Sequence, residues 1–228
     1  DGSGDFTTLT AWRDSLPATL TEPEICQIKG TITETVSFGK ITSAANYVEF
    51  RAFPGQEHTG TPGTGAQWIG GGNGRCLESG GKNFRFVNLE LVSNGIEAPT
   101  AFASAASGAT LLVSNCIMRA PSMTGTAALC AYGATTMSAV LENSIFISGA
   151  RCMDSRNVGS MTVRNCTWWS LTDQLVVIAG PKTDFKNCYA GRVGGTQQVW
   201  SNASTPTGSH NASSDTTATA RFPTSSIN

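Results

Sequence analysis

The chain has 228 residues, of which only 14% are charged, and a formal net charge of -1. No basic run or basic helix supplies the electrostatic footprint of a nucleic-acid binder, and no stretch of about 18 apolar residues offers a membrane-spanning helix. The length suits one domain with a continuous core, and 25 Gly with abundant Ser and Thr make the composition β-rich and turn-rich. The sequence opens at Asp1 without Met or a signal-like segment, which reads as a processed product or part of something longer and leaves secretion open.

The first elements fall in DGSGDFTTLTAWRDSLPATLTEPEICQIKGTITE. Asp5 or Thr7 is placed to cap a short helix whose Leu9, Trp12 and Leu16 form an apolar stripe, closed by Pro17. Strands are predicted next in ICQIKG and TETVSF. A solenoid exposes the edge and core of its first rung, so the helix reads as a lid with Trp12 over that rung. Between 53 and 75 the chain is dense in Gly, Pro and Thr. This predicts a long loop or short irregular strand, with Trp68 and Ile69 tucked against the solenoid and His58 exposed.

From residue 84 a block recurs: FRFVNLEL, LLVSNCIM, AVLENSIF, MTVRNCTW and DFKNCYAG, with Asn at 88, 115, 143, 165 and 187. The separations of 27, 28, 22 and 22 residues match one rung of a parallel β-solenoid. Phe86, Val113, Leu141, Val163 and Phe185 lie two places before the Asn, and Leu91, Met118, Phe146 and Trp168 three places after, with Ala190 the small member. The places between hold the mostly polar Arg85, Val87, Ser114, Glu142, Arg164 and Lys186. This period of two fits strands with one buried face, and it breaks at the Asn, which is therefore a corner. Asn tolerates left-handed backbone angles, so Asn88, Asn115, Asn143, Asn165 and Asn187 are expected to form an internal hydrogen-bonded ladder. Leu89, Cys116, Ser144, Cys166 and Cys188 follow as a second inward stack, in which free Cys acts as a compact hydrophobe.

The remaining strand of each rung is sought in 76–92, in TAALCAY (126–132) and in LTDQLVVIAG (171–180), with Leu175 and Val177 or their neighbours inward. The two longer rungs should bulge as surface loops at 95–110 and 119–126, where such folds place binding surfaces. From about 194 the periodicity fades into a Ser/Thr-rich segment that cannot build its own core, with Val199, Trp200 and Phe222 as anchors. The chain is thus divided into a capping helix and lead-in at 1–24, a β-helix at 25–193 and a C-terminal arm at 194–228. The seven Cys, at 26, 76, 116, 130, 152, 166 and 188, are odd in number, lack a CxxC pair and place three at one rung position, so buried thiols are expected; a Cys166–Cys188 bridge is allowed but not required.

Candidate chemistry is sparse. In RCMDSR, Arg151, Asp154 and Arg156 could project with Asp173, 19 residues beyond Asp154, and paired carboxylates within about 10 Å can divide acid and base roles in glycoside hydrolysis. The competing reading is a surface ion network around a turn. His58 and His210 lie far apart in polar loops without ligand spacing, so no metal or cofactor is expected, and GxSxG is absent. Of the consecutive Trp168 and Trp169, the alignment turns Trp169 outward, where it can stack on sugar or fill a subunit interface. Trp200 and Phe222 are further interface candidates. Sequons stand at Asn165, Asn202 and Asn211, and glycosylation at an internal Asn165 would conflict with the ladder.

DGSGDFTTLTAW resembles the entrance of right-handed parallel β-helix proteins of the pectin-lyase-like superfamily, and the NCIM, NCTW and NCYA blocks resemble its rung corners. SHNASSDTTAT resembles a segment of phage and bacterial members, so the resemblance spans roughly residues 1–215. It implies an all-β fold: a single-stranded right-handed parallel β-helix with a short N-terminal capping helix and an extended C-terminal segment. Enzymes of this superfamily act on polysaccharides, yet the Asp-Phe-Ile-Phe-Gly and Gly-Arg-Pro-Trp stretches of pectin methylesterases are absent, as is the acidic calcium cluster of pectate lyases. The lack of a charged catalytic cluster, the low charge, the short solenoid and the Ser/Thr/Gly-rich ends point to a non-enzymatic structural protein, and the resemblance implies a phage virion as its setting, in a capsid-decorating or tail-associated role. Alternatives are a polysaccharide-binding or polysaccharide-cleaving β-helix protein and a bacterial surface adhesin. The implied partners are further copies of the chain, a trimer among the options, capsid or other virion proteins, and cell-surface glycans, with the molecule on a virion, outside the cell or on its surface.

Overall fold

The structure, a computed structural model, describes residues 6–72, 74–79, 82–95, 100–101, 109–121, 127–130, 137–149, 151–154, 159–172, 177–179, 183–193, 200–202 and 207–214. Helix α1 (Leu9–Ser15) opens it. The first rung is β1 (Glu24–Ile28), β2 (Thr31–Thr33) and β3 (Val36–Phe38), and the second β4 (Val48–Ala52), β5 (Gln67–Ile69) and β6 (Leu77–Ser79). The third holds β7 (Phe84–Val87), β8 (Glu90–Val92) and β9 (Thr100–Ala101), the fourth β10 (Thr110–Ser114), β11 (Ile117–Ala120) and β12 (Ala127–Cys130). The fifth is β13 (Ser138–Glu142), β14 (Ile145–Ser148) and β15 (Arg151–Asp154), and the sixth β16 (Ser160–Arg164), β17 (Thr167–Ser170) and β18 (Val177–Ala179). The seventh is β19 (Thr183–Lys186), β20 (Tyr189–Arg192) and β21 (Trp200–Asn202), followed by β22 (Thr207–Ser209) and β23 (Ala212–Ser213).

Among the described residues every third strand joins the same sheet, giving two parallel sheets of eight strands and one of seven. This is an all-β parallel solenoid with one N-terminal helix and a strand-rich C-terminal region. Strands β21, β22 and β23 carry all three sheets past residue 193, so part of the segment expected as an arm runs as further rung. No helix among the described residues is long and apolar enough to cross a membrane.

The core is stacked in columns because parallel in-register pairing places each residue over its counterpart one rung away. Phe50, Phe86, Val113, Leu141, Val163 and Phe185 form one such column in the first sheet, all fully buried. Trp68, Leu91, Met118, Phe146, Trp168 and Ala190 form its counterpart in the second. Fully burying such side chains contributes about 1.5–3 kcal/mol each. Aromatic contacts add geometry to area: Phe146 stacks on Trp168 with centroids 5.8 Å apart, and Trp200 meets Trp168 and Phe185 edge-on at 5.7 and 5.0 Å.

Helix α1 closes the first end. Its cap is Thr8, not Asp5 or Thr7: the Thr8 hydroxyl accepts the Ala11 N–H at 3.1 Å, and the Glu34 carboxylate accepts the N–H groups of Leu9 and Thr10. Leu9, Trp12 and Leu16 are buried, and Trp12 packs edge-on to Phe50 of the second rung at 5.5 Å.

The corners differ from the expected arrangement in one respect. Asn88, Asn115, Asn143, Asn165 and Asn187 all take φ between 50° and 56°, and His210 takes the same setting at 57°. Their side chains, however, do not enter the core: Asn115, Asn143, Asn165 and Asn187 are exposed and Asn88 is half-buried. A left-handed residue interrupts the alternation of the strand, so the next residue takes the inward place. On the outside, Asn165 Nδ2 donates to Asn143 Oδ1 at 3.0 Å and Asn187 Nδ2 to Asn165 Oδ1 at 3.2 Å. Leu89, Cys116, Ser144, Cys166, Cys188 and Asn211 are the inward neighbours, each at most 2% exposed.

Candidate functional site

Inward columns in the second sheet leave two outward ones. They read Gln67, Glu90, Ile117, Ile145, Thr167 and Tyr189, and Ile69, Val92, Arg119, Ile147, Trp169 and Gly191. Five of the eight on the fourth to seventh rungs, Ile117, Ile145, Ile147, Trp169 and Tyr189, are apolar aliphatic or aromatic, an unusual content for the outside of a sheet.

A strap is anchored along the N-terminal half of this face. Residues 53–66 replace the short corner between β4 and β5, and Gly55, Gly60, Gly63 and Gly65 supply positive φ for its turns. At one end Gln56 Oε1 accepts the Gly30 N–H at 2.6 Å. At the other Glu90, 0% exposed, accepts from the Gly63 N–H at 2.7 Å, Gln67 Nε2 at 2.8 Å and Arg119 Nε at 2.5 Å. His58, expected to be exposed, is half-buried: Gly60 N–H donates to Nδ1 at 3.1 Å, which leaves Nε2–H to donate to the Asn115 carbonyl at 2.6 Å. Beside these anchors Val92 and Ile117 are buried although they point outward.

Beyond the strap the face opens. Trp168 is fully buried, whereas Trp169 lies outside and is half-buried, with Ile145, Ile147, Thr167 and Tyr189 in the same condition. The ring of Trp169 runs nearly parallel to that of Tyr189, at 19° with centroids 6.3 Å apart. A Cβ on Gly191 would lie 2.3 Å from Cζ3 and 2.6 Å from Cε3 of Trp169, and 2.8 Å from the Tyr189 hydroxyl. Glycine is thus required here by space: the benzo edge of Trp169 reaches across one rung and rests on the backbone at Gly191.

Several described carboxylates are engaged away from this face. Glu49 pairs with Arg51, Glu78 with Arg75 at 3.2 Å, and Glu142 accepts the Ser114 hydroxyl at 2.9 Å. Burial works against ionisation of Asp184, but hydrogen bonds from Arg164 and Thr207 and the charges of Arg164 and Lys186 hold its carboxyl below the ordinary 3.8. Burial, reinforced by neighbouring Glu22, raises Glu24. Among the described residues no group of three or more His, Cys, Asp or Glu could hold a metal.

Of the residues singled out for catalysis, Arg151 and Asp154 have their backbones in β15, where Asp154 pairs with Cys130 and Ile178. Their side chains, and Arg156 and Asp173 entirely, lie outside the described residues, as do Leu175, Val199, Phe222 and most of 95–110 and 122–126. Trp200, expected as an interface residue, is 2% exposed within the core and offers no outer surface. Among the described residues six thiols are free and buried, including Cys166 and Cys188, which are not bridged. Cys116, Cys166 and Cys188 each donate to the carbonyl two residues earlier. Asn165 is exposed rather than internal, and its amide is engaged in the ladder at both ends; Asn211 is buried, accepting the Cys188 N–H and donating to the Phe185 carbonyl.

Tyr189, Gly191 and the Glu90 anchor were not singled out by the sequence reading. A glycine inside a strand is a signal for close approach, and Gly191 carried it. No protein-family model, no curated protein and no solved structure matches the chain. The parallel solenoid therefore rests on its own strand register.

Proposed function

We propose that the protein is a non-enzymatic structural scaffold that presents an adhesive outer face at a surface, in the first instance that of a phage virion. The observation carrying this reading is the apolar and aromatic strip on the outside of the second sheet, Ile145, Ile147, Trp169 and Tyr189, left open where the strap ends. An outward strip of this kind is a recognition surface more than a packing one. The scaffold beneath suits display, with core columns running through consecutive rungs and a helix over the first end. The virion setting, in a capsid-decorating or tail-associated role, is supported by the resemblance of DGSGDFTTLTAW and SHNASSDTTAT to phage and bacterial β-helix proteins. A bacterial surface adhesin is the nearest alternative, and assembly with further copies or virion proteins belongs to the same proposal.

The test is where the protein resides. Antibody labelling of purified particles and of washed cells, with mass spectrometry of each fraction, should find it retained on one of the two. Recovery only as a soluble protein that shortens a polysaccharide would overturn the reading.

A further inference from the structure

We infer that Trp169 and Tyr189, seated over Gly191, form a stacking site for a neutral pyranose; the inference deepens the adhesive reading and rests on it. The seat comes first. Gly191 lacks a left-handed φ, so its glycine is explained by the space that Trp169 Cζ3 and the Tyr189 hydroxyl occupy above it. Trp169 therefore leans along the solenoid axis instead of standing out from it, and remains half-exposed beside a nearly parallel tyrosine ring. A part-exposed aromatic surface with a phenol hydroxyl and Thr167 at its margin provides what a sugar ring needs: an apolar platform for its C–H face and polar groups for its hydroxyls.

Two features select this occupant. The open strip consists of four side chains, each already half-buried, whereas a stable protein interface takes about 800 Å² per partner and roughly 20–30 residues. The outward positions of the fifth to seventh rungs, Ile145, Ile147, Thr167, Trp169, Tyr189 and Gly191, carry no charge, so an acidic saccharide would find no cation among them. The nearest guanidinium on the N-terminal side, Arg119, is bound to Glu90, and there the strap ends the track. Such a site is weak in one copy, and display of many copies on one surface multiplies its effect through avidity.

The site is tested on the full chain by saturation-transfer NMR with maltohexaose, cellohexaose and a β-galactohexaose, and with hexagalacturonate as the acidic comparison. At least one neutral hexasaccharide should bind saturably, with Trp169→Ala weakening it about tenfold, in line with the loss of one stacking contact. Gly191→Ala, which retains both rings but lifts them from their seat, should weaken it as well, while Thr162→Ala on the first sheet should not; thermal melts establish that each variant is folded. The inference is overturned if no neutral sugar binds, if binding is indifferent to both Trp169→Ala and Gly191→Ala, or if hexagalacturonate is preferred. It is also overturned if Trp169→Ala converts an oligomer to a monomer in sedimentation, since the strip is then a contact between copies. Failure to bind sugar by a protein that is still retained on particles or cells removes this site and keeps the display reading; sugar binding by a protein retained on neither does the reverse.

Discussion

At Asn165 the backbone holds φ at 52°, a setting that costs an ordinary L residue about 1–2 kcal/mol, and the amide spans from Asn143 to Asn187. Backbone and side chain can be separated by two substitutions. Asn165→Ala loses both contributions and should destabilise the fold by about 2 kcal/mol in urea unfolding, given that each exposed hydrogen bond adds at most about 1 kcal/mol. Asn165→Gly recovers the conformational part and should cost about half as much. Equal losses would show that the left-handed angle is not what the position selects. The block pattern located this corner, yet it did not reveal which way the amide points, because alternation predicts direction only while the backbone stays extended. The same limit hid the last corner: in TGSHNASS the left-handed residue is His210, and Asn211 takes the inward place that Ser144 and the cysteines hold on earlier rungs.

Between elements, the strap over 53–66 shows how one buried carboxylate can hold an irregular segment against a regular sheet. Glu90 is the shared acceptor for Gly63, Gln67 and Arg119, so Glu90→Ala orphans three donors at once. Breaking a buried ion pair from one side costs about 3–5 kcal/mol, and Arg119, 26% exposed, can recover some hydration, which places the expected loss near the lower figure, about 3 kcal/mol. The local signature is sharper: in Glu90→Ala the amide of Gly63 should lose protection from hydrogen exchange and a protease should cut within 57–65, with Glu90→Gln intermediate. Unchanged protection at Gly63 would mean that the strap is held by its other contacts. The loop itself was legible from its Gly, Pro and Thr content. Its anchor was not, because an outward Glu at the place where later rungs carry Ile117 and Ile145 reads as solvated until the strap is known to fold over it.

For the whole molecule, the columns that made the solenoid legible also place its thiols where ionisation works against folding. The five Asn blocks revealed the middle of the stack, while the first two rungs, whose corners are Gly30 and the strap, and the final strands, whose corner is His210, lacked the repeating signal. Down this stack, burial raises Cys26, Cys116 and Cys166 from the ordinary 9.0 to about 12 and Cys188 to about 11, and raises Cys76 and Cys152 as well. In the unfolded chain the same thiols ionise near 9.0, so above that pH the unfolded state binds fewer protons than the native one and stability must fall as pH rises. The contribution is complete below about pH 9 and is lost between there and the folded values near 11–12, at up to about 1.4 kcal/mol per pH unit for each thiol. Urea midpoints should therefore be level on this account from about pH 7 to 8 and drop steeply from pH 9 to 11. The double variant Cys166→Ala, Cys188→Ala isolates the cause: its midpoint should fall less steeply than that of the parent, and an identical slope would assign the alkaline loss to groups outside the thiol stack. Iodoacetamide at pH 8 should likewise leave Cys116, Cys166 and Cys188 unmodified in the native protein and alkylate them in urea, because the reactive thiolate forms only once the rungs separate.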